Sequence, residues 1–146
     1  MSEPGKQELF GVLNINKGAG CTSRDVVNTV QRLIRPEKCG HAGTLDPMAT
    51  GVLLVCIGPA TRLTTLVQES SKTYVAEFTL GMTSDTDDST GTILTTVAPP
   101  ERPSASMIDA LLQQMTGTVL QTPPAYSAVH VNGQRAYKLA RSGEPV

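Results

Sequence analysis

The chain has 146 residues, a formal net charge of −1, and 39% hydrophobic and 17% charged residues, enough for one folded unit with a real core. Cysteines at 21, 39 and 56 have no CxxC or CxxH partner, which excludes a disulfide framework and a metal knuckle and fits reduced thiols in a cytosol. No charged-then-apolar leader opens the sequence and no apolar run approaches the roughly twenty residues that cross a bilayer, so the expectation is a soluble, cytoplasmic protein.

Residues 10–16 alternate apolar with polar or small side chains, as a strand does, and Gly18 and Gly20 then turn the chain. Thr22 or Ser23 caps a predicted helix whose apolar positions, Val26, Val27, Val30, Leu33 and Ile34, recur at three- and four-residue steps and stop at Pro36. Residues 52–57 form a short apolar run ending at Gly58-Pro59, the pattern of a buried strand. A second short helix is expected over 60–68, then a strand over 73–80 with Tyr74, Ala76, Phe78 and Leu80 on one face. The β-branched stretch 91–97 is expected to pair with that strand across an acidic loop. Pro99, Pro100 and Pro103 read as a rigid connector. Ser104 then caps a helix with Met107, Ile108, Leu111, Leu112 and Met115 on its buried side and Gly117 at its end. A short strand, Pro123-Pro124, a strand over 126–131, an Asn132-Gly133 turn and a helix over 134–141 follow. The order lacks regular βαβ alternation and points to an α+β fold, a sheet with flanking helices, over a doubly wound one.

The segment Gly40-His41-Ala42-Gly43-Thr44-Leu45-Asp46-Pro47-Met48-Ala49-Thr50-Gly51 stands out. Its glycines permit unusual backbone or close approach of another molecule, and Pro47 stiffens the chain just after an acidic side chain. Such a loop is suited to presenting the carboxylate of Asp46. The plain alternative is an Asp-Pro turn in which the carboxylate bonds to its own backbone. Competing motifs fail on their own chemistry. Lys17 precedes Gly20 where a phosphate loop needs Lys-Ser/Thr after its last glycine. A calcium loop begun at Asp85 has Thr90 and Thr96 where glycine and a bidentate glutamate belong. Asp88-Ser89-Thr90-Gly91 has no second copy to make an aspartic-protease pair. Neither His41 nor His130 has a partner at metal spacing, so no metal site is expected.

Charge is unevenly distributed. Residues 1–75 carry eight Lys/Arg against six Asp/Glu, residues 76–130 one against six, and residues 131–146 three against one. Lys17, Arg24, Arg32, Arg35, Lys38, Arg62 and Lys72 accompany the proposed active loop, which keeps a polyanionic partner open despite the slightly negative total. A solvated helix face accounts equally for Arg24, Arg32 and Arg35.

The twelve-residue loop resembles the signature of the TruB family of pseudouridine synthases. Other motifs follow at the family's order and spacing. Asn16-Lys17-Gly18-Ala19-Gly20-Cys21-Thr22-Ser23 is similar to its Lys-Pro-x-Gly-x-Thr-Ser segment, with Gly18 where proline is usual. Ser71-Lys72-Thr73-Tyr74-Val75-Ala76 resembles its Lys-x-Tyr strand, and residues 81–91 its Gly-x-x-Thr/Ser-Asp-Thr-x-Asp-x-x-Gly loop. Residues 121–141 resemble its Gln-x-Pro-Pro-x-Tyr-Ser-Ala block, with His130 where lysine is commoner. The resemblance implies a mainly antiparallel pseudouridine-synthase-like sheet and conversion of uridine to pseudouridine in the TΨC loop of tRNA, at tRNA position 55. It assigns catalysis to Asp46, stacking on the extruded base to Tyr74, and RNA contact to His41. Lys72 precedes Tyr74 in the same motif and is expected to meet the substrate, and Lys17 either supports the active loop or meets a phosphate. The isomerisation is redox-neutral and transfers no external group, so no cofactor is expected, and the protein is expected to be a monomer.

The family's downstream motifs, an arginine that pairs with the aspartate and a leucine-bearing strand that closes the base pocket, are missing from these 146 residues. The expectation is therefore the N-terminal portion of a catalytic domain, weak or inactive by itself. Two other readings stay open: a non-catalytic RNA-binding or remodelling module of the same fold, and an unrelated enzyme that uses Asp46 as a phosphoryl acceptor. The latter needs magnesium and a second carboxylate, and the usual Asp-x-Asp is missing at Asp46.

Overall fold

A computed structural model describes residues 9–95, 101–122, 129–131 and 133–142. They fall into two compact units divided between Val75 and Ala76, where composition had suggested one. Each described β-ladder lies inside one unit.

The first unit is built on three antiparallel strands: β1 (Gly11–Lys17), β2 (Cys39–His41) and β3 (Gly51–Ile57), in the order β1-β3-β2. Leu13 lies opposite Val55 and Ile15 opposite Leu53, while His41 also lies opposite Val55 from the other side. A central strand has both faces covered, which is why β3 reads as a continuous apolar run and not an alternation. On one face Leu53, Val55 and Ile57 pack with Val27 and Val30 of helix α1 (Ser23–Leu33), with Ile15, Val26, Ile34, Cys39 and Leu45 at the margin. On the other face Ala42, Cys56 and Ala60 form a smaller cluster flanked by Leu54 and Val67.

Thr22 is the N-cap of α1: its hydroxyl accepts the Asp25 N–H at 3.1 Å, and the Asp25 carboxylate accepts the Thr22 N–H at 2.9 Å, a capping box. The helix ends at Leu33, which is 81% exposed and lies off the core face on which it was expected. The strand β2 was not anticipated; three residues containing a glycine carry too little pattern. The expected helix over 60–68 forms in two pieces, a 3-10 turn over Gly58–Leu63 and then α2 (Thr64–Gln68). Gly58 begins it at φ +56, and a Cβ there would meet the Leu9 carbonyl oxygen at 2.6 Å, so only glycine makes this corner without strain.

The strand expected over 73–80 is not formed. Residues 71–79 form neither helix nor strand, with Tyr74, Val75, Phe78 and Leu80 exposed. Alternation marks which side chains could share a face, but a strand exists only when a neighbour supplies its hydrogen bonds.

In the second unit the hairpin across the acidic loop does form, from β4 (Met82–Ser84) and β5 (Ile93–Thr95), with Ser84 opposite Ile93. Its first strand uses residues after 80 and not the expected 73–80. Helix α3 (Ala105–Gln114) is capped by Ser104, whose hydroxyl accepts the Met107 N–H at 3.2 Å. Its expected buried side is not buried: Met107, Ile108, Leu111, Leu112 and Met115 are all exposed. β6 (His130–Val131) and β7 (Gln134–Arg135) flank the expected turn, and α4 (Ala136–Ser142) follows with Ala136 and Leu139 buried. The connector at Pro99-Pro100, Pro123-Pro124, most of the strand expected over 126–131, and Asn132 lie outside the described residues. The architecture is α+β with every ladder antiparallel.

Candidate active-site loop

Asp46 sits between β2 and β3, in the first unit, and is exposed. Its carbonyl accepts the Ala49 N–H at 3.1 Å, closing a turn, but among the described residues no hydrogen bond reaches its carboxylate. The side chain is thus not spent on its own backbone as in an ordinary Asp-Pro turn.

Its two neighbours are held instead. On the preceding side, Ser23 Oγ accepts the Leu45 N–H at 2.9 Å and donates to the Leu45 carbonyl at 3.1 Å. Ser23 is only 2% exposed. On the following side, the Pro47 carbonyl accepts the Gly20 N–H at 2.8 Å and the Lys17 ammonium at 3.3 Å. Lys17 is 1% exposed, and its Nζ also donates to the carbonyls of Gly18 at 2.9 Å and Cys21 at 2.8 Å. A buried ammonium needs such acceptors. Of the two roles left open for Lys17, loop support is the one to which the geometry gives partners.

His41 closes β2 and is half-buried, its Nδ1 bonded to the Gly43 carbonyl. A carbonyl only accepts, so Nδ1 carries the hydrogen, and Nε2 is the ring nitrogen left to meet another partner. Tyr74 is 68% exposed. The Lys72 ammonium donates to the carbonyls of Gln68 at 2.7 Å and Ser70 at 2.6 Å, the last of α2 and the turn beyond it.

A cleft of about 620 Å³ opens beside the loop, with Thr44, Leu45, Thr50, Lys72 and Tyr74 in its wall. That size suits a small ligand or one nucleotide. Asp46 follows directly on Leu45 at its margin and is not itself a wall residue; Lys17 and His41 also lie outside the wall. The structure therefore brings Tyr74 and Lys72 to one cleft and ties Lys17 to the backbone next to Asp46.

Of the other basic residues in this unit, Arg24, Arg32, Arg35, Lys38 and Arg62 are exposed. Burial raises the Cys39 thiol pKa, with nearby Arg24 pulling the other way. In the second unit the Asp88 carboxyl is held below the usual carboxylate range by the Thr90 and Thr86 hydroxyls and the Thr90 N–H. Among the described residues no three His, Cys, Asp or Glu side chains are grouped to hold a metal ion, and no helix is long and apolar enough to cross a membrane.

Sequence reasoning gave Ser23 no part in the site, naming it only as a possible helix cap and as the end of the Asn16–Ser23 motif. The signal was the Thr22-Ser23 doublet: one hydroxyl suffices to cap a helix, and Thr22 does so, leaving the second for another task.

The family model described as TruB family pseudouridylate synthase (N terminal domain) matches residues 31–146. Among curated proteins, the chain is 43% identical over 138 residues to a tRNA pseudouridine synthase B from Streptococcus sanguinis (strain SK36), covering 94% of the chain and 47% of that protein. It is 47% identical over 136 residues to one from Lactobacillus delbrueckii subsp. bulgaricus, covering 93% and 46%. A third, from Ruegeria sp. (strain TM1040), is 46% identical over 140 residues, covering 96% and 46%. The chain spans about half the length of the curated relatives it matches.

Proposed function

The chain belongs to the TruB family of pseudouridylate synthases, and from that premise we propose that it serves a synthase converting uridine to pseudouridine in the TΨC loop of tRNA, at tRNA position 55, with Asp46 as the nucleophile. The observation that carries this reading is the carboxylate of Asp46, exposed and without a hydrogen-bond partner among the described residues while the backbone on both sides of it is tied down. A nucleophile must be both available and aimed.

The reaction breaks the C1′–N1 bond, turns the uracil and joins C1′ to C5, whose proton is lost while N1 takes one up. Asp46 attacks either C1′ of the ribose or C6 of the base, and returns as a free carboxylate at the end. The target base must leave its stack first, and the wall of the cleft beside Leu45 supports a place for it. Tyr74 offers an exposed aromatic face for stacking, a contact with a typical value of about 1–3 kcal/mol. His41, whose Nδ1 is tied to the Gly43 carbonyl, has Nε2 left to meet the RNA. Arg24, Arg32, Arg35, Lys38 and Arg62 supply positive charge toward phosphates.

The test is tritium release from a tRNA transcript labelled at uracil C5, using the full-length gene product and its Asp46→Asn variant. Release that vanishes with Asp46→Asn supports the reading. Undiminished release by the variant refutes Asp46 as nucleophile, and tRNA binding without release by either protein favours a non-catalytic RNA-binding module.

A further inference from the structure

Among the groups that the proposed chemistry does not itself use, Ser23 has the most demanding environment. It is the first residue of α1, it is buried, and its hydroxyl is not needed at the helix end, because Thr22 caps α1. That hydroxyl reaches 22 residues along the chain and takes up both polar backbone groups of a single residue, Leu45, as acceptor at 2.9 Å and donor at 3.1 Å. A serine hydroxyl has one hydrogen to give, and here it goes to the Leu45 carbonyl. With its N–H and C=O both tied to one oxygen atom, Leu45 has little freedom to rotate about φ or ψ, and the direction in which the chain enters Asp46 is set.

We propose that Ser23 is a positioning residue for Asp46, acting through the backbone of Leu45. The inference rests on the reading of Asp46 as nucleophile and adds to it a device that aims the carboxylate. The anchorage is suited to precision: Ser23 stands on a helix packed against the central strand through Val27 and Val30, so its oxygen is referenced to the core and not to another loop. The Pro47 side is held independently by Gly20 and Lys17. Loss of Ser23 therefore leaves the loop attached at one end and free to swing at the other. Misplacing a reacting group by about 1 Å costs on the order of a hundredfold in rate.

The test compares Ser23→Ala, Ser23→Cys and Ser23→Thr in the full-length gene product, with Asp46→Asn as reference. Single-turnover tritium release, the tRNA dissociation constant and the melting temperature are measured for each. Cysteine fills the same space with a much weaker donor and acceptor, and threonine keeps the hydroxyl. The expected result is a fall of about 10- to 100-fold in the single-turnover rate for the Ala and Cys variants, tRNA affinity within about twofold of the parent, and a rate nearer the parent's for Thr. Parental rates for Ala and Cys while Asp46→Asn is dead would overturn the role of Ser23 and leave the nucleophile intact. Rate losses that only track the unfolded fraction, or that come with an equal loss of tRNA affinity, would also overturn it. Undiminished release by Asp46→Asn would instead remove the premise.

Discussion

Replacing Lys17 with methionine separates a structural lysine from a phosphate contact. Methionine matches the length of the apolar stem but removes three ammonium-to-carbonyl bonds, to Gly18, Cys21 and Pro47, at 2.9, 2.8 and 3.3 Å. Hydrogen bonds to a charged group contribute roughly 1.5–3 kcal/mol each. Part of that is offset, because the neutral side chain no longer carries the cost of burying a cation, several kcal/mol in a site 1% exposed. The Pro47 carbonyl also keeps its bond from the Gly20 N–H. The net expectation is a destabilisation of about 2–4 kcal/mol. With a denaturant slope of about 1–3 kcal/mol per molar, the urea midpoint followed by circular dichroism falls by about 1–3 M. Because the ammonium faces carbonyls and not solvent, tRNA affinity measured well below that midpoint should keep the parental dependence on salt. A Lys17→Met variant with an unchanged urea midpoint, but with the slope of log affinity against log salt reduced by about one, would show that Lys17 meets a phosphate and refute the reasoning.

Two further predictions concern binding and pH. Tyr74→Ala should weaken tRNA binding or the approach to the extruded state by about 1–3 kcal/mol, read as a fold-change in single-turnover kcat/KM, whereas Tyr74→Phe keeps the stacking face; equal losses for both would assign the effect to the hydroxyl. Thr22 bonds to the Asp25 side chain and Thr90 and Thr86 bonds to the Asp88 side chain lower both carboxyl pKa values. Lowered folded-state values mean that the stabilisation is present above the unfolded carboxylate pKa of about 3.9 and is lost as pH falls through the folded value. The Thr22 and Thr90 amide resonances should therefore hold steady from pH 7 to about 4.5 and titrate with midpoints below about 3.9; a midpoint at or above that value would contradict the assigned hydrogen bonds.

Where a single element carried its own information, the sequence was a good guide. Val27 and Val30 are core because their spacing puts them on one helix face, and the apolar run over 52–57 is a strand because β3 is central and covered on both sides. Leu33 fits the same helical pattern yet is exposed, and at this end of α1 it is the next residue, Ile34, that packs against the core. The alternation over 73–80 and the apolar stripe of α3 describe surfaces able to be buried, and nothing local determines whether a partner lies against them. At the site, Asp46, His41 and Tyr74 were legible because a long motif surrounds them. Ser23 was not, because its partner is Leu45, 22 residues away, and the contact goes to backbone atoms that carry no side-chain signature.

The two restraints on the Asp46 loop come from a part of the chain that the loop's own sequence does not reveal. Lys17 and Ser23 both precede residue 31, where the match to the family model begins, while the curated relatives match over a longer stretch that includes both. A protease cut in the turn between β1 and α1, or a gene fusion joined just upstream of residue 31, would leave the signature intact to the eye while unfastening the carboxylate. The working loop is thus fastened by a preceding stretch of chain, whose strand β1 is itself paired with β3.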